Sequence, residues 1–475
     1  MEAIAFYILR RFAMHASSRT AIRSFTEGGI MGLLLRFGIP ILLGNLMMIF
    51  LNTVDMIVVG QVLGEAGSSA ISIGGSISSF VNVFVNGLAA AAEIQLAHIV
   101  GRGDRSRISR YIAGISGFLL AVAIALMAIL IPLNGTILRL LNTPAEAYES
   151  AYAYSMICLI GIVPIFAYHI ISAFLRGMGD SKHPLTFITL ACGLNIVLDV
   201  VFVVFLDMGV AGAAAATVIA QLVSVVFSLG LLCRNRAAFG LTFTLRDLFH
   251  LDREIISEYL HLAIPLALKN SAIQIAAMVV ASFTNDFGVT VSAFSGIRNT
   301  IATTAGLVMN CMGSAGSVIL GQNLAAGNLG RVRKTMLYVG TVTMSLAALL
   351  SLAFCLFPMQ MFGIFTSEEA VLALVVPYLP IAVLSFTASG LRQVTRVLID
   401  GSGNRRINLY IALLDAIVAR IGLAYLFGIA LGMDYWGFWL GSTLAAYIPI
   451  LIGVVFYFSG IWKRGAGSAA EKAPA

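Results

Sequence analysis

Long apolar stretches recur along the whole chain and constrain its fold more than any other feature. Crossing a hydrocarbon core of about 30 Å takes about 20 residues of helix, and the sequence holds twelve stretches of at least that length. Their approximate bounds are 34–60, 70–97, 111–132, 148–172, 185–206, 210–233, 259–283, 290–319, 335–357, 371–396, 408–431 and 436–461. None has the alternating pattern of a barrel strand, and a helix satisfies its own backbone in lipid. The sequence therefore predicts an all-α integral membrane protein with twelve transmembrane helices.

The positive charges identify one side of the predicted membrane. A formal net charge of +7 would also suit a nucleic-acid-binding protein, but 25 of the 29 Lys and Arg residues lie in the N-terminal segment, in the loops after even-numbered helices, near the adjoining end of helix ten, or in the C-terminal tail. The loops after odd-numbered helices hold one cation, Arg139. By the positive-inside rule both termini are cytoplasmic. We therefore expect the lipid bilayer, and not nucleic acid, as the partner of this multi-pass chain.

An internal repeat divides the chain into two halves. Three pairs of segments match at nearly the same offset along the chain. In the first pair, Ile39-Pro40 and Asn45 match Ile264-Pro265 and Asn270. In the second, Gln95, Gly101, Arg105 and Arg107 match Gln322, Gly327, Arg331 and Arg333. In the third, the segment Leu175 to Ser181 matches the segment Ile399 to Arg405. The offset spans an even number of helices, so the halves are parallel repeats about an axis along the membrane normal. A functional site is expected between them.

The repeat and the charges together predict the domain organisation. A cytoplasmic N-terminal extension covers residues 1–32, an N-terminal six-helix lobe 33–233, a cytoplasmic linker 234–258, a C-terminal six-helix lobe 259–461 and a cytoplasmic tail 462–475. The linker carries an apolar stripe at near-helical spacing, which predicts a short interfacial helix. The stripe consists of Leu248, Phe249, Leu251, Ile255, Ile256 and Leu260.

Two carboxylates in the first half are expected to meet inside the membrane. Asp55 follows Pro40 at the same spacing at which Asp199 follows Pro184, in helices that both run outward from the cytoplasm. Both side chains would then lie about 22 Å beyond their prolines. Asn195 shares the helix face of Asp199. Two adjacent carboxylates in a low dielectric cannot both stay ionised, which predicts a proton site, although the same oxygens could coordinate Na⁺.

The second half has lost these acids and carries cations instead. The positions equivalent to Asp55, Asn195 and Asp199 are Val280, Arg420 and Ala424. Lys269, Arg298 and Arg420 lie in apolar helices with Asp415 as the nearby counter-charge. Buried cations are costly unless something anionic reaches them, so one hypothesis is that the three contact an anionic or zwitterionic substrate. In the alternative, Arg420 pairs with Asp415 and Lys269 snorkels to the cytoplasmic surface.

The order and spacing of several motifs resemble the multidrug and toxic compound extrusion (MATE) family over all twelve helices. The motifs are Pro40-x14-Asp55-x4-Gly60, Leu175-Arg176-Gly177-Met178-Gly179-Asp180, Asn195-x3-Asp199 and Gly212-Ala213-Ala214-x-Ala216-Thr217. The resemblance implies two six-helix lobes around a central cleft, alternating access, and export driven by H⁺ or Na⁺. In the DNA-damage-inducible branch the coupling site lies in the N-terminal lobe, and its positions match Asp55, Asn195, Asp199 and Thr217. A second branch uses acids in helices seven and ten, where the sequence predicts none.

These expectations combine into a secondary antiporter that exports small organic compounds and is coupled to H⁺ or Na⁺ entry. We expect a monomer in a bacterial or archaeal plasma (inner) membrane, with no cofactor besides the coupling ion. If that ion is Na⁺, we expect it to bind at Asp55, Asn195 and Asp199. Simple export of cationic drugs is at odds with the basic second half. A flippase of lipid-linked saccharides is the alternative, although fourteen helices are more usual there. A membrane receptor or enzyme is disfavoured because the sequence shows neither a soluble sensory domain nor a catalytic constellation, and no Walker loop, zinc spacing or nucleophile elbow indicates ATP-driven transport or hydrolysis.

Overall fold

The computed structural model describes residues 22–466, except 141, 142, 144, 240, 243–246 and 249–251. Every regular element within these described residues is a helix. Long apolar helices make up the crossings, which we number α1 to α12. They are α1 Ile30–Leu63, α2 Ala70–Gly101, α3 Arg105–Leu140, α4 Ala145–Ile160 with Ile162–Gly177, α5 Lys182–Phe205, α6 Gly209–Arg234, α7 Arg253–Asn285, α8 Val289–Ala325, α9 Leu329–Leu356, α10 Val375–Gly401, α11 Arg405–Ala430 and α12 Asp434–Ser459.

The described residues reproduce the predicted all-α membrane fold, with two differences in how crossings are divided. Eleven single helices are long and apolar enough to span a membrane, and the two parts of α4, bent by 49° at Gly161, supply a twelfth crossing. The sequence predicted α4 as one unbroken helix. Conversely, helical backbone continues without a break from Ile30 to Gly101. Its 72 residues would extend over roughly 108 Å, far more than one bilayer, so α1 and α2 are separate crossings.

Large apolar side chains cover the outside of the bundle. Val455 is 69% exposed, Phe205 76% and Phe458 80%, all within the spanning helices. Contiguous exposure of this kind is unfavourable in water but suits a surface that faces lipid tails. The polar groups described below are in contrast buried between helices.

The two halves repeat in backbone conformation as well as in sequence. Left-handed glycines end α2 and α8 at Gly103 and Gly327, and end α4 and α10 at Gly179 and Gly403. Before α6 the positive φ values fall at Asp207 and Gly209, and before α12 they fall at the equivalent positions of the repeat, Gly432 and Asp434. α5 and α11 also both finish in π-helical turns, Val200–Phe205 and Leu426–Ala430. The helix ends of the two lobes are thus built by the same local geometry.

Polar contacts join the lobes at the end of the molecule that the charge pattern predicts to be cytoplasmic. His98 Nε2 lies 2.7 Å from the carbonyl oxygen of Gly401, and Gln95 Nε2 donates to the carbonyl of Glu258 at 2.7 Å. The hydroxyl of Tyr259 donates to the carbonyl of Leu88 at 2.9 Å. These bonds join the second half of α2 to the first turns of α7 and to the end of α10, so the lobes are closed against each other at this end.

The linker and the chain ends are only partly described. Asp252 caps α7, since its Oδ1 accepts from the backbone N–H groups of Glu254 and Ile255 at 3.0 and 3.4 Å. Ile255 and the rest of the predicted interfacial stripe from there on belong to α7, so in its described part that stripe is not a separate helix. Phe249 and Leu251 lie outside the described residues, as do 1–21 of the predicted N-terminal extension and 467–475 of the tail.

The side-chain amide of Gln322, at the end of α8, ties together three parts of the chain. Its Oε1 accepts from the backbone N–H of Phe25 at 2.8 Å, and its Nε2 donates to the carbonyls of Gly177 at 3.3 Å and Arg23 at 3.4 Å. Gln322 is fully buried. This amide therefore helps to hold the residues just before α1 between the two lobes, together with Asn323 and Arg331, which both donate to the carbonyl of Phe25.

We expect Gln322→Leu to lower the stability of the folded protein by about 1–3 kcal/mol, because the buried N–H of Phe25 and two carbonyls would lose their partner. The midpoint of thermal unfolding in detergent measures the effect. Gln360→Leu is the matched control, since Gln360 is exposed. Equal midpoints for the two variants would show that the Gln322 contacts contribute little.

Candidate functional site

Two carboxyl groups meet in the N-terminal lobe between α1 and α5. Asp55 is 6% exposed and Asp199 is fully buried, and their carboxyl groups lie within hydrogen-bonding reach of each other. Within the part of the chain that the structure describes, no Lys or Arg side chain pairs with either of them. An acid pair without a cation is stable in a low-dielectric interior when the two groups share a proton.

Asn195 bridges the two acids from one helical turn before Asp199. In the amide orientation that satisfies both of its ends, the nitrogen donates to Asp55 Oδ1 at 2.9 Å and to Asp199 Oδ2 at 3.2 Å. Its oxygen then faces Thr217 Oγ1 at 3.2 Å. The amide is fully buried. The amide of Asn195 thus lies between the two carboxyl groups.

Thr217 on α6 completes the cluster. Its hydroxyl lies 3.3 Å from Asp55 Oδ2 and 3.1 Å from the carbonyl of Ala213, one turn earlier on the same helix. α5 changes to π-helical hydrogen bonding at Val200, directly after Asp199. Such insertions widen a helix and occur often at functional sites. We call the set Asp55, Asn195, Asp199 and Thr217 the carboxyl cluster; the structure brings together all four residues that the sequence singled out.

Two further side chains adjoin the carboxyl cluster and were missed by the sequence analysis. Tyr154 on α4 lies within electrostatic range of both acids and beside Cys158, whose thiol lies near Ser78. Tyrosine and cysteine are common inside apolar helices, so nothing in their sequence context distinguishes them. One acceptor atom of the cluster, Asp199 Oδ1, is buried without a hydrogen-bond partner among the described residues.

The C-terminal positions equivalent to the two acids are apolar. Val280 and Ala424 pack there with Phe438, each 5% exposed or less. Phe438 stacks on Phe283 with ring centroids 5.5 Å apart. Arg420, at the position equivalent to Asn195, lies one turn before Ala424 and pairs with Asp415. The two lobes thus share a scaffold, but the second has apolar side chains in place of both acids.

The structure corrects the interpretation of Lys269. Its Nζ lies 2.7 Å from Asp400 Oδ1 and 2.6 Å from Asn408 Oδ1, and the side chain is 10% exposed. It does not snorkel to the surface. Asp400 was assigned to a loop, whereas α10 continues to Gly401 and includes it. The predictions that helix ten contains no acid and that Asp415 is the one nearby counter-charge are therefore wrong.

The other two predicted cations also have partners inside the protein. Arg420 Nη2 lies 3.3 Å from Asp415 Oδ1, as in the alternative stated above. The guanidinium carbon of Arg298 lies 5.9 Å from the ring centroid of Tyr378 and 6.0 Å from that of Trp439, and Nη2 donates to Asn299 Oδ1 at 2.9 Å. These contacts separate the three residues into distinct environments. The structure does not bring them into one site.

A bundle of twelve crossings in two repeats, with a buried acid pair in one lobe, is the architecture of a membrane transport protein. The MatE family profile matches residues 40–201 and again residues 265–426, once in each lobe. The chain therefore belongs to the MatE family of transporters.

Curated relatives match the chain over nearly its whole length. The "Probable multidrug resistance protein YpnP" of Bacillus subtilis is 28% identical over 92% of this chain and 97% of its own length. "Multidrug export protein MepA" of Staphylococcus aureus is 20% identical over 90% of this chain and 94% of its own.

Solved structures share the fold. A MATE crystal structure described as the bent conformation superimposes with a TM-score of 0.86 at 21% identity, covering 94% of this chain and 98% of the other. An outward-facing MATE transporter of the MOP superfamily gives 0.84 at 22% identity, covering 96% and 99%. A MOP superfamily transporter of Pyrococcus furiosus, whose binding pocket is described as having reverse polarity, gives 0.83 at 22%, covering 96% and 99%.

Proposed function

We propose that this chain is a secondary antiporter that exports small organic compounds by alternating access, with the carboxyl cluster as its coupling site. The observation that carries the proposal is the buried pair Asp55 and Asp199, with Asn195 between them and no cation beside it in the described part of the chain. The names of the multidrug-resistance and multidrug-export relatives support the class of cargo. The bacterial relatives also support a plasma-membrane location, and the distribution of Lys and Arg along this chain supports cytoplasmic termini.

In the proposed cycle, protonation of the acid pair is the step that links ion entry to the position of the lobes. With both carboxylates ionised, repulsion between them favours separation of α1 from α5; a proton removes that repulsion and favours close packing. Each proton that enters supplies about 2.3 kcal/mol per 100 mV of membrane potential. That is more than a tenfold gradient of cargo per charge, because tenfold corresponds to about 1.4 kcal/mol.

H⁺ fits the cluster better than Na⁺ does. The two carboxyl groups lie within hydrogen-bonding reach of each other, and no Lys or Arg of the described chain pairs with them, so one shared proton satisfies the contact. Binding Na⁺ at Asp55, Asn195 and Asp199 would use the oxygen of the Asn195 amide as a ligand. The alternative function, flipping of lipid-linked saccharides, gains no support from the number of crossings, which is twelve in the described residues.

Transport by purified protein in liposomes tests the proposal. A pH gradient is imposed in Na⁺-free buffer, and separately a Na⁺ gradient at equal pH, with a panel of fluorescent organic compounds. We expect accumulation driven by the pH gradient alone. Accumulation driven by the Na⁺ gradient alone would show that Na⁺, and not H⁺, is the coupling ion. If neither gradient moves any compound, the proposal of antiport is overturned.

Thr217→Val should reduce gradient-driven export by about tenfold. A hydrogen bond to a charged group contributes about 1.5–3 kcal/mol, and this hydroxyl shares its one proton among Asp55 and two neutral acceptors. Thr217→Ser keeps the hydroxyl and should restore most of the export. Initial rates at several external pH values provide the measurement. Equal rates for the valine and serine variants would remove Thr217 from the coupling site.

A further inference from the structure

Cations outnumber acids along α10 and its neighbours. Asp400 is shared, since its Oδ1 pairs with Lys269 at 2.7 Å and its Oδ2 with Arg396 Nε at 3.1 Å. Asp415 has Arg420 as its partner. Arg392 lies within electrostatic range of Arg396, Arg420 and Asp415, yet its side chain forms no hydrogen bond or ion pair among the described residues. Four cations therefore face two acids in this part of the described chain.

The uncompensated charge is accessible. Arg392 and Arg396 lie one turn apart on the same face of α10, and both side chains are partly exposed, that of Arg396 to 34%. A charged residue in contact with lipid at this depth costs about 2.5–3.5 kcal/mol on insertion scales. The exposed parts of both guanidinium groups are therefore assigned to a water-accessible space within the protein.

That space adjoins the contact between the lobes. Arg396 reaches α8, where its Nη atoms lie 3.3 Å from Asn310 Oδ1 and 3.5 Å from Ser314 Oγ. Cys311, between these two residues, accepts from the Asn45 amide of α1 at 3.2 Å. Arg396 also lies within electrostatic range of Glu93 in the other lobe, and Glu93 is already paired with Arg176 at 2.9 Å. Arg396 thus faces the boundary between lobes, where a transported compound must pass, and Arg392 lies one turn before it on α10.

The chemistry of the two side chains suits an oxyanion. Only Nε of Arg396 is fixed by a carboxylate; its Nη atoms make long bonds to neutral groups that a stronger acceptor would displace. Guanidinium groups present paired donors that match a carboxylate or phosphate, and residues four apart on a helix are close enough to bind one ligand together.

We propose that Arg392 and Arg396 form an anion-binding subsite for the exported compound, which carries a carboxylate or phosphate group. This inference rests on the proposed export function and names the substrate class. It replaces Lys269 and Arg298, whose charges are stabilised by Asp400 and by aromatic rings, as the residues that select an anion. The acid pair in the other lobe then carries the proton while the basic face of α10 holds the cargo.

Equilibrium binding tests the subsite without requiring transport. Fluorescence polarisation of fluorescein, an anionic dye, and of rhodamine 6G, a cationic dye of similar shape, is measured with the purified full-length protein in nanodiscs. We expect wild type to bind fluorescein at least tenfold more tightly than rhodamine 6G, and inorganic phosphate to compete. Arg392→Gln and Arg396→Gln should each weaken fluorescein binding by about tenfold to a hundredfold. Arg405→Gln, at an exposed position at the start of α11, is the matched control.

The outcomes separate this inference from the proposed function. Tighter binding of rhodamine 6G than of fluorescein, or unchanged fluorescein binding in the Arg392→Gln/Arg396→Gln double variant, would overturn the subsite. Arg392→Lys and Arg396→Lys keep the charge, should retain part of the binding, and show that a loss in the glutamine variants is not misfolding. If fluorescein binds as expected but no gradient moves it in liposomes, antiport fails while the subsite stands.

Discussion

Replacing Asp199 by asparagine should abolish gradient-driven export and leave a folded protein. Asp199 is fully buried, and one of its oxygens has no hydrogen-bond partner among the described residues. Asparagine has the same shape and keeps a carbonyl oxygen toward the Asn195 amide, but it neither ionises nor takes up a proton near neutral pH. The acid pair then loses the repulsion that protonation is proposed to relieve. Folding should be retained because a neutral side chain in this pocket removes a buried charge.

Everted vesicles energised to give an inside-acidic gradient provide the measurement. Dye accumulation should fall to the level of vesicles without the protein, and dye-induced proton efflux should vanish. Asp207→Asn is the matched control: it makes the same substitution two helical turns further along the chain, at an exposed position with φ of 49°, a conformation that asparagine tolerates well. Export by Asp199→Asn at the rate of Asp207→Asn would exclude Asp199 from coupling.

The acid pair could be placed from the sequence because local rules determine it. Both acids follow a proline at the same spacing in helices that run the same way, and the constant rise of a helix converts that spacing into equal depth. The repeat also shows that the second half lacks these acids. Val280 and Ala424 stand at the equivalent positions, which is why they pack against Phe438 in an apolar cluster. The depth of a residue in the membrane and the face of the helix on which it lies depend on short segments, so both can be predicted from a single sequence.

The ionic contacts of the second lobe could not be placed in this way. The tenth apolar stretch of the sequence ends at residue 396, which leaves Asp400 outside the predicted helix; the helix instead continues to Gly401, and the left-handed residue is Gly403. Lys269 and Asp400 are also far apart in the sequence. Their pairing depends on how α7 packs against α10 and α11, which no local pattern specifies. A cation in an apolar helix indicates that it has a partner, but it does not indicate which residue that partner is.

Lys269→Met should destabilise the protein strongly, and this variant distinguishes a structural cation from a substrate contact. Both members of the Lys269–Asp400 pair are at most 10% exposed. Removing one partner of a buried pair typically costs about 3–5 kcal/mol, because the remaining charge is left in a low dielectric. Arg396 would remain beside Asp400 but bonds only one of its oxygens, and Asn408 Oδ1 would lose its donor.

Thermal unfolding in detergent should show a midpoint several degrees lower for Lys269→Met than for Lys334→Met, an exposed control on α9. Adding Asp400→Asn to Lys269→Met removes the unpaired charge and should recover a large part of the loss, since neutral replacements of both partners are often tolerated where single ones are not. A single variant as stable as the control would mean that Lys269 is not held by Asp400 in the working protein. It would then be free to contact an anionic cargo, and the basic face proposed for α10 would extend to α7.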